Sequence, residues 1–205
     1  MLEVANLACI RGERLLFKEL SFSIRPGELL VVGGANGSGK TSLLRMLCGL
    51  LLPAAGEIRW QGRSMGSMRD VYPAAMMYIG HPNGLKDELT GLENLRFATA
   101  LSGAPASRER IRRALARMGL GERELLPTGW LSQGQKRRTA LARLLLSDCS
   151  LWILDEPFTA LDKAAVELVQ SLLEEHLRDD GLVVLTTHQD LEVAAPRLQR
   201  LHLAQ

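Results

Sequence analysis

The chain has 205 residues, of which 46% are hydrophobic and 23% charged, and its formal net charge is +2. That length suits one globular domain with a buried core, and the charge is too small to indicate a nucleic-acid or acidic-membrane partner by itself. The three cysteines, Cys9, Cys48 and Cys149, are far apart in sequence, which is the spacing of neither a disulfide framework nor a zinc site and favours a reducing compartment.

Neither a signal peptide nor a membrane-spanning helix is predicted. Residues 1–17 carry charges at Glu3, Arg11, Glu13 and Arg14 among the apolar positions, which is not the pattern of a signal peptide. The longest strongly apolar run, 46–55, is far shorter than the roughly 18 residues that a membrane span needs. We therefore expect a soluble protein whose role at a membrane, if it has one, depends on a partner.

The first part of the chain predicts strands followed by a loop and a helix. Residues 1–28 alternate in the manner of strands and end in a turn at Pro26-Gly27. The apolar run "LLVVGG", 29–34, predicts a buried strand, and "KTSLLRMLCGLL", 40–51, predicts a helix after a glycine-rich loop.

The second part is predicted to be mainly helical over about 82–147 and then to return to strands. Thr90 and Glu93 have capping-box spacing, and the segment 108–118 places Ile111, Leu115 and Met118 on one face of a helix. "LWIL", a helix over about 163–177 and "LVVLTT" follow. Strands that alternate with helices predict an α/β fold with a parallel sheet.

The glycine-rich loop "GANGSGKT", 34–41, fits the phosphate-loop pattern G-x-x-x-x-G-K-[ST] and lies between a predicted strand and a predicted helix. Its glycines let successive backbone N–H groups turn inward and form an anion-binding nest, and the following helix points its positive end at the same place. Lys40 adds a charge for the β- and γ-phosphates, and the Thr41 hydroxyl suits Mg²⁺. The predicted phosphate-binding residues are Gly34, Asn36, Gly37, Ser38, Gly39, Lys40, Thr41 and Ser42.

An acidic pair, Asp155 and Glu156, follows the apolar run "LWIL". Ligands of open α/β sheets bind at the carboxyl ends of strands. We expect Asp155 to hold Mg²⁺, through water, and Glu156 to polarise the water that attacks the γ-phosphate. A solvated acidic pair is the alternative, and the phosphate loop in the same chain argues against it.

The stretch "WLSQGQKRR" predicts a second anion-binding helix end. Ser132 and Gln135 have capping-box spacing, which places Ser132 and Gly134 at a helix N-terminus. Capping alone would favour an ordinary helix start. The basic runs at 108–113 and 136–138 are expected to be solvated helix faces.

These motifs occur in the order that ABC-type ATPase domains show, and the chain resembles that family over essentially its whole length. The segments that carry the resemblance are 34–41, Leu131-Ser132-Gln133-Gly134-Gln135, 154–157, 159–162 and Thr187-His188. The resemblance implies a P-loop ATPase of the ABC type that uses ATP and Mg²⁺. It also implies a single domain over 1–205, with a mainly parallel central sheet, an N-terminal antiparallel β subdomain and a helical subdomain at about 82–147.

The resemblance further implies that two such domains pair head to tail. Each signature segment, 131–135, would cap the γ-phosphate of the ATP held by the other copy. Asp162 would lie at the dimer seam, and His188 would contact the γ-phosphate and the attacking water. A satisfied surface histidine is the alternative for His188.

Two positions depart from the family pattern. Arg11 stands where an aromatic ring usually stacks on adenine, and a guanidinium plane can stack on a base instead; a solvated loop arginine is equally consistent with the sequence. His81 stands where the family usually has a Gln that links the Mg²⁺ region to the membrane partner. Because imidazole offers no oxygen ligand, we expect His81 to serve coupling and to meet Mg²⁺ through water or not at all.

Within the family, the chain is most similar to the ATP-binding subunits of bacterial cytochrome c biogenesis haem export systems. The similarity rests on "GEIRWQG", "IGHPNGLKDELTGLENL", "LWILDEPFTALD" and "LTTHQ". It implies a peripheral subunit on the cytoplasmic face of the inner membrane. Its partners would be membrane-spanning transporter subunits and haem-delivery components, and its ATPase would power haem export or delivery to a periplasmic haem chaperone.

Two other functions remain open at this level: an ABC ATPase that serves another solute, and a soluble ABC-type ATPase of DNA repair or translation. DNA-repair types insert a long coiled coil between phosphate loop and signature, for which the stretch from Thr41 to Leu131 is too short. Translation types usually carry two ATPase modules in one chain. The sequence also lacks a basic stripe, so no nucleic-acid partner is expected.

Overall fold

The computed structural model describes residues 1–68, 71–188 and 193–203. Its strands are β1 Leu2–Arg11, β2 Arg14–Ile24, β3 Glu28–Gly34, β4 Ala55–Trp60, β5 Arg63–Ser64, β6 Met76–Ile79, β7 Leu151–Asp155, β8 Leu182–Thr186 and β9 Arg197–Leu203. Its α-helices are α1 Lys40–Leu47, α2 Tyr72–Ala75, α3 Gly91–Leu101, α4 Arg108–Arg117, α5 Gln133–Leu141 and α6 Lys163–Arg178. In the described residues no helix is long and apolar enough to cross a membrane.

The chain divides into two compact units. The first comprises Met1–Tyr78, Cys149–Glu156 and Leu173–Gln205, and the second comprises Ile79–Asp148 and Pro157–Leu172. The sequence-based description of 1–205 as one domain stays a prediction.

The first unit contains two sheets. An antiparallel sheet has the strand order β2-β1-β4-β5, and a second sheet has the order β6-β7-β8-β3-β9. In the second sheet β3 pairs in parallel with β8 and β9, and β7 pairs in parallel with β8. The predicted α/β architecture, with an N-terminal antiparallel sheet beside a parallel central sheet, is therefore what the chain forms.

The register of the parallel strands brings three functional segments to one edge. Thr186, the last residue of β8, lies opposite Val32 of β3 on one side and Asp155 of β7 on the other. The carboxyl ends of these three strands are therefore level. The glycine-rich loop after β3 and the acidic pair at the end of β7 leave the sheet at the same edge, on either side of β8, and this edge is where an open α/β sheet binds its ligand.

The core of the first unit explains why these strands are central. Residues Leu29–Val32, Leu151–Asp155 and Leu182–Thr186 are all buried, as expected for parallel strands covered on both faces. Helix α1 packs into this core through Leu43, Leu44 and Leu47. The helix is shorter than the predicted 40–51, because it ends at Leu47 and the chain turns through Gly49, whose φ is +71°.

The second unit confirms the two local helix signals of its sequence. At α3, Thr90 Oγ1 accepts a hydrogen bond from Glu93 N (3.1 Å), and Glu93 Oε2 accepts one from Thr90 N (2.9 Å). In α4 the predicted apolar face is buried at Ile111 and Leu115, and Met118 continues it just past the helix end. The exposed arginines of α4 form the predicted solvated face.

Candidate functional site

The phosphate loop of the first unit can be built only with glycine at its critical positions. Gly34 has φ +139°, and a Cβ there would lie 2.7 Å from Ser38 Oγ and 2.8 Å from the Leu203 carbonyl oxygen. Gly39 has φ +103°, and a Cβ there would lie 3.1 Å from the Phe17 ring. The chain therefore turns tightly and opens directly into α1 at Lys40, which presents the first N–H groups of the helix to the loop.

Two polar side chains of the loop are arranged for an anion. Lys40 Nζ donates to the carbonyl oxygens of Gly34 (2.7 Å) and Ala35 (3.1 Å), so its ammonium group lies against the loop. Ser38 is 2% exposed, and its hydroxyl has no hydrogen-bond partner among the described residues. Since buried hydroxyls are almost always paired, this orphaned group fits a loop that receives an oxyanion.

Asp155 is held by hydroxyl groups on both of its oxygens. Thr41 Oγ1 donates to Asp155 Oδ2 (2.8 Å), and Thr186 Oγ1 donates to Asp155 Oδ1 (2.7 Å). Asp155 is 2% exposed, so its orientation is fixed by these bonds rather than by water. The adjacent Thr41 hydroxyl and Asp155 carboxylate are hard oxygen donors of the kind that Mg²⁺ prefers, so the donor set fits that ion.

Sequence reasoning missed Thr186. Its hydroxyl both donates to Asp155 and accepts from Glu156 N (2.9 Å), so it fixes the two members of the acidic pair together. The available signal was a hydroxyl residue at the carboxyl end of the otherwise aliphatic run "LVVL".

The structure brings the two predicted catalytic residues together. His188 Nε2 lies 3.3 Å from Glu156 Oε1. Glu156 has φ +49°, a left-handed conformation that costs a non-glycine residue about 1 kcal/mol or more and that is concentrated at functional sites. The backbone therefore makes an unfavourable turn at the residue that follows Asp155.

Arg11, the candidate adenine residue, belongs to the antiparallel sheet of the first unit. It is exposed at the end of β1 and faces Arg14 across the hairpin. The described contacts neither support nor contradict stacking on a base, so this role stays a prediction.

The second unit contains the signature segment. Ser132 Oγ accepts from Gln135 N (3.2 Å), and Gln135 Oε1 accepts from Ser132 N (2.9 Å), so the predicted capping box is confirmed and α5 begins at Gln133. A Cβ at Gly134 would lie 2.5 Å from the Ala160 carbonyl oxygen. Only glycine therefore fits where the start of α5 meets the loop before α6.

Asp162, predicted at a dimer seam, has a local structural role. Its Oδ1 accepts a hydrogen bond from Ala165 N (2.8 Å), and its carbonyl oxygen accepts one from Val166 N (2.9 Å). Asp162 thus satisfies amide groups in the first turn of α6. No contact tests its role between two copies.

The predicted solvated face at 136–138 is wrong at Arg137, which is only 3% exposed. Its Nε donates to the Pro157 carbonyl oxygen (3.2 Å), and its Nη1 donates to the Gly80 carbonyl oxygen (2.9 Å) and to Asn83 Oδ1 (3.2 Å). A guanidinium group can be buried here because these fixed oxygens accept its N–H groups.

His81 is exposed and follows Gly80 directly, so the segment that carries it is attached to α5 through Arg137. A second bond supports the same region, since Lys136 Nζ lies 2.8 Å from Asp87 Oδ1. The coupling role of His81 stays a prediction.

Comparison with known proteins decides the family. A model of the ABC transporter family matches residues 17–159. The cytochrome c biogenesis ATP-binding export protein CcmA of Nitrosospira multiformis is 55% identical over 202 residues, which are 98% of each chain. The protein of the same description from Nitrosomonas europaea is 53% identical over 204 residues, which are 100% of this chain and 96% of that protein. The chain belongs to the ABC transporter family, in its CcmA branch.

Solved structures agree with this assignment. The ATP-binding cassette MJ0796, in a dimeric post-hydrolysis state bound to ADP and Pi, matches with a TM-score of 0.85 and 25% identity over 100% of this chain and 97% of that one. A dimeric structure of MJ0796, described as a bacterial ABC transporter cassette, matches with a TM-score of 0.82 and 27% identity over 98% and 94% of the two chains. The predicted fold class, the ABC-type ATPase cassette, is confirmed.

Proposed function

We propose that this protein is the ATP-hydrolysing subunit of a membrane ABC transporter complex that powers haem export or delivery to a periplasmic haem chaperone in cytochrome c maturation. The observation that carries the ATPase part is the hydrogen-bonded cluster at one edge of the sheet, in which Thr41, Thr186 and Asp155 are joined and Glu156 lies beside His188. The transport part is supported by relatives named as cytochrome c biogenesis export proteins at 53–55% identity.

The phosphate chain of ATP is the substrate group that suits the loop. The first turn of α1 and the Lys40 ammonium supply positive potential, and the buried Ser38 hydroxyl supplies a further donor. Thr41 and Asp155 would hold Mg²⁺, which neutralises phosphate charge when it is bound.

Glu156 is the residue proposed to orient the attacking water and to take a hydrogen bond from it. Thr186 fixes its backbone, and His188 stands within 3.3 Å of its carboxylate. His188 would restrain that carboxylate and offer a donor to the γ-phosphate. Phosphoryl transfer needs mainly such positioning and charge stabilisation.

A second copy would complete the site. The signature residues Leu131, Ser132, Gln133, Gly134 and Gln135 surround the start of α5, whose N–H groups and dipole suit a γ-phosphate. The MJ0796 cassette is dimeric in both solved structures, which supports the pairing of two copies. In a head-to-tail pair these residues would act on the nucleotide of the other copy. Asp162 would lie at the seam of that pair.

The complex would also include membrane-spanning subunits, with this chain as a peripheral subunit on the cytoplasmic face of the inner membrane. His81 lies on an exposed segment tied to α5, which is suitable for passing a contact with such a subunit to the signature. Haem-delivery components would receive the transported or released haem.

The test is the variant Glu156→Gln, with Glu167→Gln on the exposed face of α6 as the matched control. We expect Glu156→Gln to bind ATP, to hydrolyse it at least about 100-fold more slowly, and to stop loading of the periplasmic haem chaperone in cells. Glu167→Gln should behave as the unmodified chain. Undiminished ATP turnover in Glu156→Gln would remove Glu156 as the base, and normal haem loading without turnover would refute the transport role.

A further inference from the structure

An exposed tryptophan stands beside the signature segment. The side chain of Trp130 is 78% exposed, whereas Trp60 and Trp152 are 2% and 5% exposed. Tryptophan is enriched at the energetic centres of interfaces, and leaving its large ring in water forgoes a substantial gain from burial. Nothing within the described residues of the chain uses this ring.

The ring is presented on a fixed support. Trp130 ends a short 3₁₀ helix, Thr128–Trp130, whose backbone is bonded to a neighbouring segment: Thr128 N donates to Leu89 O and Gly129 N donates to Asp87 O, both at 2.8 Å. Leu131, the next residue, is buried. Little backbone freedom would be lost when the ring binds a flat partner, which favours a preformed stacking surface.

Trp130 lies close in sequence to the helix end that is proposed to contact the nucleotide of the second copy. It precedes Ser132, the cap of α5, by two residues, and two extended residues span about 7 Å. If the start of α5 meets the γ-phosphate, as the proposed function requires, a side chain at this position is within reach of the base, because the phosphates and ribose that separate the γ-phosphate from the base span a comparable length.

The nucleotide-binding unit lacks an exposed aromatic ring in its first hairpin. Of the two aromatic residues there, Phe17 is buried beneath Gly39, and Phe22 packs against the core. Arg11 is exposed at the end of β1 and can cover one face of a base at most.

We propose that Trp130 of one copy stacks on the adenine of the ATP held by the other copy. This inference rests on the proposed function, because it needs the head-to-tail dimer. Adenine would then lie between Arg11 of its own chain and the indole of the second. Stacking of the base on the indole would stabilise the nucleotide-dependent dimer and would not contribute to ATP binding by a single chain.

The test uses the Glu156→Gln variant, in which the dimer should accumulate when ATP is added. Trp130 is the one exposed tryptophan of the three, so acrylamide quenching of tryptophan fluorescence reports its accessibility directly. We expect ATP to shield the indole from acrylamide at the same ATP concentrations at which size-exclusion chromatography detects the dimer.

Variants separate stacking from a structural effect. In Trp130→Ala, the ATP concentration that gives half-maximal dimer should rise about 5- to 150-fold, the range that base–aromatic stacking produces. ATP affinity of the single chain, measured at low protein concentration, should not change. Trp130→Phe should restore most of the loss, and the preference for ATP over CTP in dimer formation should shrink in Trp130→Ala.

The failures are distinguishable. A dimer that forms with ATP but leaves Trp130 fully quenchable, or an unchanged ATP dependence in Trp130→Ala, would overturn the stacking proposal alone. Shielding of Trp130 by membrane subunits in the full complex without nucleotide would also overturn it. No dimer at any ATP concentration would overturn the composite site and the stacking together.

Discussion

The buried guanidinium group of Arg137 gives the sharpest stability prediction, for the substitution Arg137→Met. Methionine fills much of the same space but removes the hydrogen bonds to the carbonyl oxygens of Gly80 and Pro157 and to Asn83 Oδ1. Hydrogen bonds to a charged donor contribute about 1.5–3 kcal/mol each, and those to one group are not additive. We expect the free energy of unfolding to fall by about 3 kcal/mol in total, which corresponds to a fall in Tm of about 6–12 °C for a chain of this length.

The assay is thermal and urea denaturation, monitored by circular dichroism. The matched control is Arg113→Met in the same unit, since the Arg113 side chain is 77% exposed and pairs only on the surface with Glu109 at 3.1 Å. That pair contributes about 0.5 kcal/mol or less. Arg137→Lys should fall between the two, because one ammonium group cannot reproduce the planar fork.

An Arg137→Met chain whose unfolding free energy lies within about 0.5 kcal/mol of that of Arg113→Met would refute the reasoning. The three contacts would then contribute no more than a surface ion pair does. The attachment of residues 80–83 to α5 would need another explanation.

Three further predictions address the signature, the coupling position and a buried histidine. Gly134→Ala would place a Cβ 2.5 Å from the Ala160 carbonyl oxygen and should lower the free energy of unfolding by about 1–3 kcal/mol in urea denaturation. Gly66→Ala, whose Cβ would make only an ordinary contact of 3.9 Å with Ser64 Oγ, is the control, and equal stabilities would contradict the clash. His81→Gln should keep the basal ATPase rate, whereas loss of that rate together with Mg²⁺ affinity would show that His81 serves the chemistry. Burial against the stacked Trp152 ring lowers the pKa of His176 from its ordinary 6.5, against smaller opposing hydrogen bonds. The unfolded chain then binds the proton more readily, so the stability due to neutral His176 is complete above about pH 6.5 and is lost as the pH falls towards the folded-state pKa. His176→Phe should flatten that slope in denaturation from pH 7 to pH 5, and an unchanged slope would rule His176 out as its source.

Structural features that depend on residues close in sequence could be predicted from the sequence. Both capping boxes, at Thr90 and Ser132, are confirmed because each joins a side chain to a backbone group three residues away. The ligand edge of the sheet was also predictable, since apolar runs mark β3, β7 and β8 as central strands and parallel strands end at one edge.

Contacts between segments that are distant in sequence could not be predicted from the sequence. The run "KRR" has the composition of a solvated helix face, and only the fold shows that Arg137 meets carbonyl groups 57 and 20 residues away in sequence. Thr186 is similar, because its hydroxyl acquires its role from Asp155, 31 residues earlier. A sequence records which groups can donate or accept, whereas the partner is set by packing.

Helix α5 therefore carries two sets of contacts along its length. Its first turn carries the signature, with Gly134 against the Ala160 carbonyl oxygen, and Arg137 lies five residues after Ser132, about 7.5 Å further along the axis. At that point Arg137 donates hydrogen bonds to the carbonyl oxygens of Pro157 and Gly80. A displacement of the segment that carries His81 must either move α5, and the signature with it, or break the bonds of Arg137. Since the acceptors are backbone carbonyls and the guanidinium group is buried, breaking them leaves polar groups without partners, and moving the helix as one body is the less costly response.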